Sequence, residues 1–226
     1  MEIIIGKTAG FCAGVMNAVT KAEKELQHIK NNEEIYCLGE IVHNKQVIKK
    51  LEEKGLQTVE SIEQAKEKAI IRAHGIPKET YEKAEQLNIK LIDLTCPKVL
   101  KIHNQVEEHS KQGYYIILIG VEGHPESIGT ISFCGKNSYL LTNEDKIPEM
   151  IKTIENSKVK KVIIVAQTTY NLKKFEQMAK EIEEKLKDKC KIIIQNTICT
   201  ATRIRQEETE KISKEVECMI IIRRKK

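Results

Sequence analysis

A chain of 226 residues, 40% apolar and 31% charged, has a globular balance, with room for one or two ordinary domains or three small ones sharing a core. Aromatics make up only 4% and tryptophan is absent, which argues against the stacking platforms of single-stranded nucleic-acid binders, so no nucleic-acid partner is expected. The net charge of +5 lies mostly in lysines on helix faces such as 180–191, and no apolar run approaches the ~20 residues of a membrane span. Met1-Glu2 opens a strand rather than a signal peptide, so a cytoplasmic protein with no membrane association is expected. Seven cysteines in a reducing compartment do not make a disulfide framework; some belong to the core and others suit metal.

In chain order, a strand at 2–5 runs into "GFCAGV" (10–15) and a helix over 14–29. A strand at 34–38 leads through "EIVHN" (40–44) to a helix over 44–54. The strand at 68–72 meets "RAHGIP" (72–77) and a helix over 78–87, and the strand at 90–94 meets "DLTCPK" (93–98) and a helix over 98–111. The strand at 114–119 ends at "EGHPES" (122–127), with a helix over 143–155 beyond it. The strand at 161–165 ends in "AQTTY" (166–170) before a helix over 172–187. A strand at 191–194 then meets "NTICTAT" (196–202), a helix over 201–215 and a last strand at 217–222. This alternation predicts α/β architecture with largely parallel sheets. No Pro/Gly/Ser linker and no strict repeat divides the chain.

The strands recur in how they end. Apolar runs close repeatedly on a His or Cys, and in "RAHGIP", "DLTCPK" and "EGHPES" a proline follows within three residues, as suits the first turn of a helix. Histidines and thiols therefore collect where strand carboxyl ends meet helix amino ends, the place where open α/β sheets bind ligands and free N–H groups favour anions. His43, His74 and His124 form a candidate anion pocket, and Glu126 adds a carboxyl group able to carry protons. Gln167, Thr168 and Thr169 supply polar groups at another strand end. His28 and His109 read as surface residues, and His103 as a helical residue equally suited to a structural place.

Among the thiols, Cys12, Cys96 and Cys199 lie at strand-to-helix junctions, whereas Cys37 and Cys218 fall inside apolar strands and read as core. Cys134 and Cys190 are ambiguous. The three junction thiols are separated by 84 and 103 residues, unlike the close pairs of zinc ribbons and bacterial ferredoxins. They could ligate only if three segments converge. An iron–sulfur cluster on three thiolates, a zinc-dependent hydrolase using the same Cys/His set and separate structural roles all remain open on spacing.

Taken together, "GFCAGV", "EIVHN", "RAHG", "DLTCP", "GHPE", "QTT" and "NTIC.AT..RQ" resemble, in order and spacing, the 4-hydroxy-3-methylbut-2-enyl diphosphate reductases (IspH or LytB), from residue 1 to about 222. The resemblance implies a pseudo-threefold arrangement of αβα domains around a central iron–sulfur cluster. The domains would be 13–96, 97–194 and an incomplete third built from 195–226 with 1–12. It implies an oxidoreductase of the methylerythritol phosphate route to isoprenoids that reductively removes a hydroxyl, giving isopentenyl and dimethylallyl diphosphates. One 4Fe-4S cluster would be held by Cys12, Cys96 and Cys199. His43, His74 and His124 would bind the allylic diphosphate, Thr168 would hold the substrate hydroxyl and Glu126 would relay the proton. A ferredoxin or flavodoxin type donor would supply electrons.

The family continues beyond the last strand with a Gly-Gly-x-x-Ser-x-Asn-Thr motif. Where it would read Gly-Gly-Lys-Asn-Ser, this sequence reads Arg-Arg-Lys-Lys at 223–226. A single inserted A in an A-rich run converts GGA GGA AAA AAT AGC to AGG AGG AAA AAA TAG, so an out-of-frame tail is expected. The competing expectation is a non-catalytic remnant that binds cluster or anion without turnover.

Overall fold

The computed structural model describes residues 2–29 and 33–221. They build two four-stranded parallel sheets. The first contains β1 (Ile35–Leu38), β2 (Leu56–Val59), β3 (Lys68–Ile71) and β4 (Lys90–Asp93) in the order β2-β1-β3-β4. The second contains β5 (Tyr115–Ile119), β6 (Ser138–Leu141), β7 (Lys161–Ala166) and β8 (Lys191–Ile194) in the order β6-β5-β7-β8. The helices are α1 (Ala13–Gln27), α2 (Lys45–Glu52), α3 (Lys78–Gln86), α4 (Pro97–Lys111), α5 (Pro125–Ser132), α6 (Ile147–Ser157), α7 (Leu172–Leu186) and α8 (Thr200–Ser213).

The central strands are apolar because both sheet faces are covered. Every residue of β1 and β5 is buried, as is β7 after Lys161. On the first sheet, Cys37 and Ile70 pack with Ala18, Ala22 and Leu51 of α1 and α2, while Tyr36 and Ile71 face Ala84 of α3. On the second, Ile117 and Ile164 pack on Phe175, Met178 and Ile182 of α7 and Met150 of α6, while Ile116 and Ile163 face Ile102 and Val106 of α4. The two sheets share one topology even though no strict repeat is visible in the sequence.

Four expectations need correction. Residues 2–5 are not a strand: the segment pairs with nothing in either sheet, and Ile3 and Ile5 are 73% and 78% exposed. Residues 217–221 are likewise irregular, so Cys218 is exposed rather than core. Residue 222 and Arg223–Lys226 lie outside the described residues. Conversely, β2 and β6 add to the expected strands; each is a four-residue edge strand whose mixed burial lacks a continuous apolar run. Finally, α5 starts directly at Pro125, which makes His124 its N-cap.

Cys37 and Cys134 are fully buried, and burial pushes both thiols up to about 12. His103 is also internal, 2% exposed, with its pKa held down at about 4 by burial against a small opposing pull from Asp93. A histidine charged in the unfolded chain below about 6.5 but neutral in the fold costs stability as the medium is acidified. Stability should therefore fall between pH 6.5 and 4, and His103→Leu should flatten that slope in urea unfolding. An unchanged slope would place the proton elsewhere.

Candidate active site

Apart from Cys12, which no strand precedes, the junction residues lie at strand carboxyl ends, and the repeated topology places them in pairs. His43 follows β1 as His124 follows β5, His74 follows β3 as Thr168 follows β7, and Cys96 follows β4 as Cys199 follows β8. Parallel pairing brings those ends to one side of each sheet.

The three histidines meet. Ring centroids of His43 and His74 are 4.1 Å apart, and His124 lies 5.7 Å from each. His124 Nδ1 accepts from the Glu126 backbone N–H at 3.1 Å, so a neutral ring carries its proton on Nε2. His43 Nδ1 is 3.3 Å from Glu40 Oε2, a partner that sequence reasoning missed although it lies in the same "EIVHN" stretch.

Glu126 is 2% exposed and is clasped by one residue from another strand end. The Thr168 backbone N–H donates to Oε1 at 2.6 Å and its hydroxyl donates to Oε2 at 2.7 Å. Burial pushes the carboxyl pKa up, while the two Thr168 bonds pull it down. Gln167 braces the same corner: its Oε1 accepts from Val121 N at 3.0 Å and from Ser127 Oγ at 3.2 Å. The site thus combines three imidazoles with a buried, hydrogen-bonded carboxyl group.

The three junction thiols converge as well. Cys12, Cys96 and Cys199 are the N-caps of α1, α4 and α8, so three helix amino ends, each with a partial positive charge, surround one region. A Cβ on Gly14 would lie 2.7 Å from Cys96 Sγ and 3.9 Å from Cys12 Sγ, so glycine is needed there for close approach and not for a turn. The Cys96 thiol is shifted upward, first by burial and then by its neighbours Cys199 and Cys12. Backbone bonds tie these residues to the other groups: Cys96 N donates to Ala73 O beside His74, and Cys199 N to Thr168 O. Segment 7–10 is strapped to α8 by Glu208, which accepts from Lys7 N and Thr8 N, and by Arg205, which donates to Thr8 O and Gly10 O.

Among the described residues, no three His, Cys, Asp or Glu side chains are placed to hold a single metal ion. A polynuclear cluster separates its protein ligands more widely than one ion does, and Cys96 with Cys12 and Cys199 as its neighbours, each at a helix amino end, fits such an anionic group.

Arg72 is a further residue that the sequence did not single out. Its guanidinium packs on Gly39, where a Cβ would meet Nη1 at 2.2 Å, and its Nε donates weakly to Gly75 O at 3.4 Å. It therefore bridges the loops carrying His43 and His74. Gly39 also holds φ at +68°, so Gly39→Ala should destabilise the protein by about 2 kcal/mol or more, read by urea unfolding. Unaltered stability would mean that Arg72 moves aside freely and that the left-handed backbone at residue 39 costs nothing.

Comparison with known proteins decides the family. The family model described as LytB protein matches residues 3–226. The chain belongs to the LytB family. It is 41% identical over 223 residues to a 4-hydroxy-3-methylbut-2-enyl diphosphate reductase of Alkaliphilus oremlandii, covering 98% of this chain and 76% of that protein. To the reductase of Clostridioides difficile it is also 41% identical, covering 98% and 77%. A solved (E)-4-hydroxy-3-methyl-but-2-enyl diphosphate reductase, described as the terminal enzyme of the non-mevalonate pathway, superposes with a TM-score of 0.75 at 37% identity over 95% of this chain and 74% of that one. The reductase structure from Plasmodium falciparum gives 0.80 at 31% identity, covering 91% and 63%. The chain thus spans about three quarters of the length of these two curated LytB relatives.

Proposed function

We propose that this LytB-family chain is a 4-hydroxy-3-methylbut-2-enyl diphosphate reductase. It removes the substrate hydroxyl by reduction to give isopentenyl and dimethylallyl diphosphates. The observation that carries this reading is Glu126, buried and held through both oxygens by Thr168, beside a triangle of His43, His74 and His124. A hydroxyl is a poor leaving group and needs a proton delivered where it departs. A carboxyl group whose pKa is raised by burial holds that proton near neutrality better than an exposed one.

The histidines bind and orient the diphosphate. Imidazole N–H groups donate to phosphate oxygens, and rings from three different loops fix the anion against rotation. Thr168 sets the Glu126 carboxyl in one orientation and places its own hydroxyl within the same proton network. Cys12, Cys96 and Cys199 hold one 4Fe-4S cluster, and the convergence of three helix N-caps supports the assignment. When bound, the cluster supplies single electrons and a Lewis-acidic iron. A ferredoxin or flavodoxin type protein fits the need for a one-electron donor to a cytoplasmic enzyme. Among the described residues no helix is long and apolar enough to cross a membrane.

The decisive experiment is an anaerobic assay of the purified, cluster-loaded chain with chemically reduced donor, following both diphosphate products by chromatography. Formation of both products supports the reading. A cluster-loaded chain that binds substrate and forms neither product would instead support the non-catalytic remnant.

A further inference from the structure

We infer that His103, which the reaction itself does not use, is a positioning residue that sets the distance between His74 and the His124–Glu126 corner. The proposal rests on the diphosphate-binding role of the histidine triangle.

His103 projects from α4 into the seam between two loci of the site. On one side, its Cε1 lies 2.9 Å from where a Cβ on Gly75 would stand, next in sequence to His74. Gly75 turns at φ +77°, a conformation that disfavours any side chain there, so the seam is shaped for a ring approaching the backbone. On the other side, its Nε2 lies 3.7 Å from a Cβ position on Gly129, one helical turn after Glu126 on α5. Phe133 at the end of the same helix stacks on the imidazole, with centroids 4.4 Å apart and planes at 17°. The ring is thus a flat spacer gripped between the His74 loop and the helix that His124 caps.

Its chemistry agrees with a spacer. Neither ring nitrogen has a hydrogen-bond partner among the described residues, so the contacts that hold it are those of shape and stacking. Interiors transmit strain because they are close-packed, and a displacement of about 1 Å at a binding group is enough to cost up to ~10²-fold in rate. Loss of the ring lets the His74 loop settle toward α5 and changes the separation of His74 and His124, now 5.7 Å.

The test compares the cluster-loaded parent, His103→Ala and His103→Phe by calorimetric titration with inorganic diphosphate, together with crystal structures of the three proteins. His103→Ala should bind diphosphate ~10-fold more weakly and shift the His74–His124 separation by about 1 Å or more, whereas His103→Phe, which keeps a flat ring, should stay within ~3-fold of the parent. If His103→Ala fails to fold, His103→Leu replaces it, since a branched side chain fills volume without the flat shape. A folded Ala or Leu variant with parental affinity and parental ring separation overturns the proposal. So does a folded Phe variant as impaired as Ala. Should the parent itself fail to bind diphosphate, the function assigned to the triangle fails, while ring separation in the variants still decides the role of His103.

Discussion

Glu126→Gln lowers turnover by ~10²-fold or more while substrate affinity stays near that of the parent. The amide keeps the size of the carboxyl group and can still meet Thr168, whose N–H and hydroxyl hold Oε1 and Oε2 at 2.6 and 2.7 Å. What it loses is the ionisable proton. The pH dependence carries the sign. Burial raises the folded-state pKa of Glu126 above its ordinary value of 4.5, so the acid form persists to higher pH and is lost as pH rises through the raised value. Turnover should decline along that alkaline limb in the parent, and the limb should vanish from the residual activity of the variant. The same shift makes Glu126 stabilising below its unfolded pKa, a contribution lost as pH rises through the folded one. Parental turnover in Glu126→Gln would assign the proton to another group.

Serine in place of Cys12, Cys96 or Cys199 abolishes the visible absorbance of the anaerobically purified protein and its bound iron and sulfide, one substitution at a time. A hydroxyl is far less acidic than a thiol and binds iron–sulfur clusters poorly, and the loss of one of three ligands leaves a second iron without a protein ligand. Cys37→Ser is the control. Cys37 is fully buried in β1, its thiol pushed up to about 12, and it faces the helices α1 and α2 rather than the other thiols. It should cost stability and leave the cluster in place. Retention of full iron and sulfide in any of the three junction variants, or a parent that cannot be reconstituted, would refute the assignment.

Several site features were legible in the sequence because they are local. Glycine, proline, histidine and cysteine at the ends of apolar runs mark the strand-to-helix junctions, and "GHPE" marks His124 and Glu126 as candidates at such a junction, although α5 itself is not among the expected helices. The motif set as a whole resembles the LytB family, and the family match confirms that membership. Other features were not legible because they are relations between distant segments. Arg72 lies in the "RAHGIP" stretch, yet its role depends on Gly39, which no spacing rule connects to it. His103 reads as any helical histidine until Gly75, Gly129 and Phe133 close around it.

The strands show the same division. By itself, the sequence determined β1, β3, β4, β5, β7 and β8, whose apolar runs occur between helical patterns. Only the tertiary structure decided β2 and β6, edge strands that exist because β1 and β5 offer them a partner. It also decided that the isoleucines at 3–5 and the segment at 217–221 pair with neither sheet, however strand-like their composition. The reason is that a strand's hydrogen bonds are all made to other segments, whereas a helix makes its own. Apolar periodicity specifies which residues leave water, but not which distant residue they leave it with. The thiols at 12, 96 and 199 obey the same rule: residue type and junction made them candidates, and the packing of α1, α4 and α8 made them neighbours.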